Sequence, residues 1–280
     1  MELIKRHALC KIFAEHEMGL RGSGLRILSQ SLSAGGTSSV NNNLSAIAPE
    51  QPFRFKCHPG LACFNACCRD LNQFLYPYDI LRLKKRLGLS SGEFLARFTT
   101  RHLGPESGLP IVSLKSTDAL RLTCPFVTAT GCSVYPDRPS SCRVYPLIRA
   151  VSRHRISGEV AEHFMLLREP HCLGFEGPAK QTVRQWIKNQ GAEVYNQVND
   201  RLMEIISLKN RLHPGPLDPK QQHLFYIALY DLDNFRSQLF NRELLNTDDA
   251  DAQELAAART DDTVLLEIAM ARVKQMFFKS

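Results

Sequence analysis

Cys57, Cys63, Cys67 and Cys68 fall within one short stretch, FKCHPGLACFNACCRD (residues 55–70), and two of them are adjacent. Thiolates act as nucleophiles, redox groups and soft metal ligands, so clustering of this density points to sulfur chemistry rather than to packing. Cys63 and Cys67 are four apart. One helical turn presents residues at that spacing on a single face, where one metal ion or cluster can bridge both sulfurs. Cys68 differs, because the next residue in a helix is rotated by about 100° and in an extended strand points to the opposite face. Adjacent thiols rarely serve one tetrahedral ion, so the pair predicts two metal centres, a cluster of several iron atoms, or one ligand beside a reactive thiol.

Cys124, Cys132, Cys142 and Cys172 follow downstream with gaps of seven, nine and twenty-nine residues, and of the nine cysteines only Cys10 stands outside the span from Cys57 to Cys172. These gaps match neither usual zinc-finger spacing. Cys124 precedes Pro125 and Cys132 follows Gly131. That places them on opposite arms of an expected hairpin, which brings two sulfurs together. In YPDRPSSCRVYP, Asp137 is placed to cap and Pro139 to open a helical turn from which Cys142 projects. Four thiolates around a divalent ion leave a net charge of about −2, so nearby cations are favoured. Arg69, Arg138 and Arg143 stand next to or close to cysteines, and His58 and His171 flank Cys57 and Cys172 as substitute ligands or as hydrogen-bonding neighbours of the ligands.

The rest of the chain must position these residues. It has 280 residues, 44% of them hydrophobic, enough for one or two ordinary cores. No apolar run reaches the roughly 18 to 20 residues that cross a bilayer, and the N-terminal MELIKRHALCKIFAEHEMGL carries charges where a signal peptide is apolar. The expected location is cytoplasmic, a reducing compartment that favours metal-bound or redox cysteines over stable disulfides. The net charge of +7 and pI near 9.0 are spread along the chain and give no nucleic-acid or membrane-surface signature. RLKKRLG (residues 82–88) reads as the wet face of a helix.

Residues 29–52 are rich in Ser, Gly and Asn without an apolar period, so residues 1–52 are expected to form a flexible leader, with a short helix within residues 1–28. Pro77 opens and Gly88 stops a helix that carries Ile80, Leu83 and Leu87. Ser90 with Glu93 forms a capping box for a second helix presenting Phe94 and Phe98. LPIVSLK and LRLTC read as strands, and VTATGCSVY as a hairpin turning at Gly131. From Val183 to Ile206 a period of about 3.6 predicts helix up to HPGPLDP. QQHLFYIALYDLDNFRSQLF and DDTVLLEIAMARVKQMFF predict two more, the last with Asp261 and Asp262 in its first turn. The expected fold is therefore α+β with helix predominating: an irregular cysteine domain at 53–178 with a small antiparallel sheet, then a helical region at 179–280.

Cys63 with Cys67 and Cys68, the following YPYDILRLKKRLGLSSGEFL, CPF with the later GCSVY, and above all RPSSCRVYP resemble the YkgJ-type cysteine-cluster family of zinc- or iron-chelating domains, over roughly residues 53–175. The family signature has two residues between its first two cysteines, whereas five separate Cys57 from Cys63 here. The resemblance implies metal binding by eight cysteines: Cys57, Cys63, Cys67, Cys68, Cys124, Cys132, Cys142 and Cys172. The cofactor implied is zinc or iron, an iron–sulfur cluster included. Some relatives are named flagellin lysine N-methylases, which makes methyl transfer to protein lysine an alternative. A redox sensor or electron carrier using Cys67 and Cys68 is another. RGSGLR (residues 21–26) lacks the preceding strand of a nucleotide-binding loop, and no nucleophile motif for a catalytic triad is present. The partner implied is a metal ion, with room for a protein partner and no case for nucleic acid.

Overall fold

The computed structural model describes residues 43–69, 73–104, 107–118, 120–153, 160–241 and 251–277. The expected N-terminal helix and RGSGLR lie outside the described residues. In chain order come β1 (Leu44–Ile47), β2 (Pro52–Arg54), a 3₁₀ turn (Ala66–Cys68), α1 (Pro77–Leu87), α2 (Ser91–Phe98), β3 (Thr99–Leu103) and β4 (Pro110–Leu114). Then follow β5 (Val127–Thr128), β6 (Gly131–Cys132), α3 (Ser140–Val144), β7 (Leu147–Arg153), β8 (Val160–Leu167), β9 (Lys180–Thr182) and α4 (Val183–Asn189). The chain continues with α5 (Glu193–Leu212), α6 (Pro219–Leu229), α7 (Leu232–Asn241), α8 (Ala252–Ala258) and α9 (Asp262–Met276). The fold is α+β with helix predominating, and its sheets are antiparallel with two or three strands each. Among the described residues no helix is long and apolar enough to cross a membrane.

The chain divides into two units. The first joins the described residues up to Ala66 to Val144–Ala192. Its larger sheet has the order β1–β8–β7, with Ile47 opposite Phe164, and a second sheet pairs β2 with β9. Phe53, Phe55, Leu147, Phe164 and Trp186 are buried together, and Phe55 meets Trp186 edge-to-face at 5.5 Å. The indole N–H, costly to bury unpaired, donates to the Val144 carbonyl at 2.9 Å. Thr182 and Gln185 make the capping box that starts α4. Gly191, at φ 60°, ends it in a Schellman motif: its N–H reaches the Lys188 carbonyl and the Ala192 N–H reaches that of Ile187.

The second unit joins Cys67–Arg143 to Glu193 and the residues after it. Helices α1, α2, α5, α6, α7 and α9 enclose its core, in which Leu83, Phe94, Phe235 and Leu265 are fully buried. Helix α1 begins at Pro77 and ends on Gly88 at φ 64°, and α2 begins with the Ser90–Glu93 capping box, as the sequence signals predict. Three helix ends meet in a buried charge network. Lys84 Nζ lies 2.9 Å from Asp233 and 3.1 Å from Asp262, and Arg236 pairs with the same two carboxylates. Both acids sit in first turns, where the helix dipole favours negative charge.

Several elements differ from expectation for identifiable reasons. Leu44–Ile47, inside the stretch read as flexible, form β1 because β8 supplies a pairing edge that no local pattern announces. LRLTC is not a strand: residues 120–122 are a turn, with Leu122 at φ 46° and Leu120 95% exposed. The apolar period from Val183 to Ile206 belongs to two helices parted at Gly191, and the QQHLFYIALYDLDNFRSQLF stretch is split at Tyr230–Asp231. Helix α8 was not signalled by the apolar pattern.

Candidate metal centre

The eight cysteines between Cys57 and Cys172 are present as thiols, none in a disulfide. The division of the chain separates them into two groups: Cys67, Cys68, Cys124, Cys132 and Cys142 lie in the second unit, and Cys57, Cys63 and Cys172 in the first. The expected helical turn from Cys63 to Cys67 is not formed. Asn65 takes a left-handed φ of 67°, and the Ala66 N–H bonds back to the Cys63 carbonyl over three residues rather than four.

In the second unit, four separate stretches deliver sulfur. The Cys124 N–H donates to the Cys68 carbonyl at 2.8 Å, which lays the residue before Pro125 along the CC pair. Cys132 sits on β6 opposite Val127, so the β5–β6 hairpin carries it while Cys124 stands just ahead of β5. Both pack against the edge of the core. Cys142 projects from α3, and its thiol contacts Gln73 Oε1 at 3.4 Å. Asp137 does not cap this helix, because Arg82 engages its carboxylate. The cap comes from Asp79 of α1. Its buried carboxylate accepts from the Ser140 N–H at 2.8 Å, from the Ser140 hydroxyl at 3.2 Å and from the Tyr76 N–H at 3.0 Å.

Burial and the charge of neighbouring thiols act together on these sulfurs. The Cys68 thiol is pushed up, first by its hydrogen bond with Cys67, then by burial and by the charges of Cys67, Cys124 and Cys142. Cys142 reaches solvent on one side, yet protein crowds it closely enough that desolvation is the main cause raising its thiol, followed by Cys124, Cys67, Asp79 and Cys132. Burial likewise raises Cys124 and Cys132. Arg138 opposes the shift at Cys132. Two of the three arginines expected near sulfur are buried here. Arg138 lies 3.9 Å over the Tyr135 ring, and Arg143 donates to the Pro136 carbonyl at 2.7 Å and to the Tyr195 hydroxyl at 3.0 Å. Arg69 is exposed.

In the first unit the Cys63 sulfur accepts from the Leu173 N–H at 3.3 Å, the residue after Cys172. The Lys56 N–H, one residue before Cys57, donates to the Gly174 carbonyl at 2.8 Å. Gly174 is required there: a Cβ would stand 2.6 Å from the Phe55 ring. Cys172 packs on the aromatic core and hydrogen-bonds with Tyr145, whose hydroxyl also donates to Glu169 at 2.9 Å. Burial, then Cys172 and Glu169, push that phenol far up. His171 lies 3.7 Å from Glu169, and His58 Nδ1 accepts from the Gly60 N–H at 3.2 Å.

Among the described residues, no three or more Cys, His, Asp or Glu side chains form a ready ligand cage. The donor set nevertheless suits a soft or borderline cation. Thiols are the ligands of zinc, of copper(I) and of iron–sulfur clusters, and crowded thiols that resist ionising alone ionise when a cation compensates them. Sequence reasoning missed Gln73, Asp79, Tyr145 and Glu169. Asp79 was visible only as part of a helix start, and the others carried no signal.

No curated protein and no solved structure matches the chain. Residues 56–173 match the model of the CxxCxxCC family, described as a "putative zinc- or iron-chelating domain", which is the family that the motifs resemble.

Proposed function

We propose that the chain is a metal-binding protein that holds zinc or iron, as ions or as an iron–sulfur cluster, through its eight clustered cysteines. Cys67, Cys68, Cys124, Cys132 and Cys142 supply one ligand group, and Cys57, Cys63 and Cys172 supply a second within the other unit. The observation that carries this reading is the gathering of thiols from separate segments: Cys124 and Cys142 push the Cys68 thiol up beside Cys67, and Cys124, Cys67 and Cys132 push up that of Cys142. Such an arrangement is unfavourable for thiolates alone and favourable around a cation. The family description supports the same reading. Redox use of the CC pair is less well supported, because a reactive thiolate needs a depressed pKa and Cys68 is moved the other way.

Elemental analysis of anaerobically purified protein, with an absorption spectrum, tests it. Stoichiometric zinc or iron in the parent and its loss in Cys68→Ser and Cys124→Ser are expected. Visible absorption that bleaches on reduction identifies a cluster, and a colourless zinc protein excludes one. Protein that carries no metal, and whose thermal melting a strong chelator leaves unchanged, refutes the proposal.

A further inference from the structure

The first unit contains a cavity of about 340 Å³, open to solvent, that none of its three cysteines lines. Its floor is apolar: Ile47, Phe53 and Leu166 are buried and Phe175 half-buried. Its rim is cationic. Arg54, Arg168 and Lys180 are exposed there, and no carboxylate is among the lining residues. The nearby Glu50 is engaged by Arg184. Like charges held together without a counterion raise the local potential and favour an anion.

Two of the cations are already positioned. Arg54 Nη1 donates to the Pro178 carbonyl at 2.9 Å, and the Arg168 guanidinium lies 4.5 Å over the Phe175 ring. Holding these long side chains in place beforehand removes part of the entropy that a ligand would otherwise have to overcome. The backbone adds donors. The Arg168 N–H bonds to the Asn43 carbonyl, and with Leu44 opposite Leu167 this fixes the ladder so that Ser45 and Ile47 bond to β8. Leu44 and Ala46 therefore turn their N–H and C=O groups to the other edge of β1, and no strand among the described residues pairs there.

From this geometry we infer that the cavity binds a small amphipathic organic anion: a carboxylate or similar head at Arg54, Arg168 and Lys180, with an aliphatic or aromatic body on Phe53, Phe175 and Ile47. The volume lies within the range of small-molecule pockets, and convergent cationic side chains at its mouth select an anionic head. This inference is independent of the metal reading, since its residues are separate from the thiols.

The probe is 8-anilinonaphthalene-1-sulfonate, followed by fluorescence on the full chain and displaced by octanoate, by octanol and by inorganic phosphate. We expect saturable binding, displacement by octanoate alone, and weakening by at least about tenfold in Arg168→Glu/Lys180→Glu. Trp186 emission, from the core beside the cavity, verifies that the variant is folded, and Arg168→Gln/Lys180→Gln replaces it if it is not. Unchanged affinity in a folded variant overturns the assignment. So does equal displacement by octanol, which makes the site merely greasy, or by phosphate, which makes it merely basic.

Discussion

Asp79 decides where Cys142 stands. Its carboxylate caps its own helix and, 61 residues away in sequence, the helix that carries the cysteine. Burial pushes this carboxyl up from 3.8 to about 6 despite three hydrogen bonds that pull it down. Between those two values the native protein holds a proton that the unfolded chain has released, so this group's contribution to stability falls as pH rises through the window and is fully lost above it. Asp79→Asn abolishes the titration. Denaturant unfolding of the two proteins should show the parent losing up to about 3 kcal/mol relative to the variant from below the window to above it. A parent that gains over that range contradicts the assignment. The raised thiols give a second expectation: zinc added to metal-free protein must displace protons from Cys68, Cys124 and Cys142, so apparent affinity rises with pH and a pH indicator registers the release. Uptake without proton release would count against these ligands. At this scale the sequence announced the cysteines by type and clustering, and Arg138 and Arg143 by proximity. It could not announce Asp79 or Gln73, whose roles depend on contacts across more than a single element.

Among elements, what was legible was local. Pro77, Gly88 and the Ser90–Glu93 box fix helix ends with atoms a few residues apart, so their pattern is written in consecutive residues. Strand β1 depends on Leu167 for the pairing of Leu44, more than a hundred positions away, and was hidden for that reason. Gly191 was hidden differently: apolar spacing carried on across it, but its left-handed conformation ends the helix. Gly191→Ala should therefore lose about 1 kcal/mol by urea unfolding, the cost of forcing a Cβ into that turn, and an unchanged midpoint would remove the turn from the account. The charge network predicts a larger effect. Lys84, with a side chain 6% exposed, answers two carboxylates. Lys84→Ala leaves the buried Asp262 and the half-buried Asp233 with Arg236 alone among the cations and should cost about 3–5 kcal/mol. The exposed Arg201–Glu267 pair is the control, and Arg201→Ala should change stability by less than about 1 kcal/mol. Equal effects at the two sites would mean that Lys84 is far better solvated than its burial indicates.

The whole molecule divides where the sequence looks most continuous. The chain passes from one unit to the other between Ala66 and Cys67, between Arg143 and Val144, and between Ala192 and Glu193. The first passage falls inside FKCHPGLACFNACCRD and separates Cys57 and Cys63 from the CC pair, a partition that linear spacing cannot express because neighbours in sequence are then neighbours in different cores. The two units also report separately. Trp186 is the only tryptophan and sits in the first unit's core with Cys172, whereas eight of the nine α-helices among the described residues belong wholly or mostly to the second. Tryptophan emission thus follows one unit and the far-ultraviolet helix signal chiefly the other. If Cys124 is a ligand in the second unit, Cys124→Ser should lower the thermal midpoint of the helix signal by roughly 5–10 °C, the size expected for a loss of a few kcal/mol in a chain of this length. Cys63→Ser should act first on Trp186 emission, since its sulfur anchors the Leu173 N–H beside the same aromatic core. Chelator should reproduce each effect in the parent and add nothing in the matching variant. The reverse pattern, with Cys124→Ser moving only the tryptophan, would mean that the sulfur groups are not divided between the units as their backbones are.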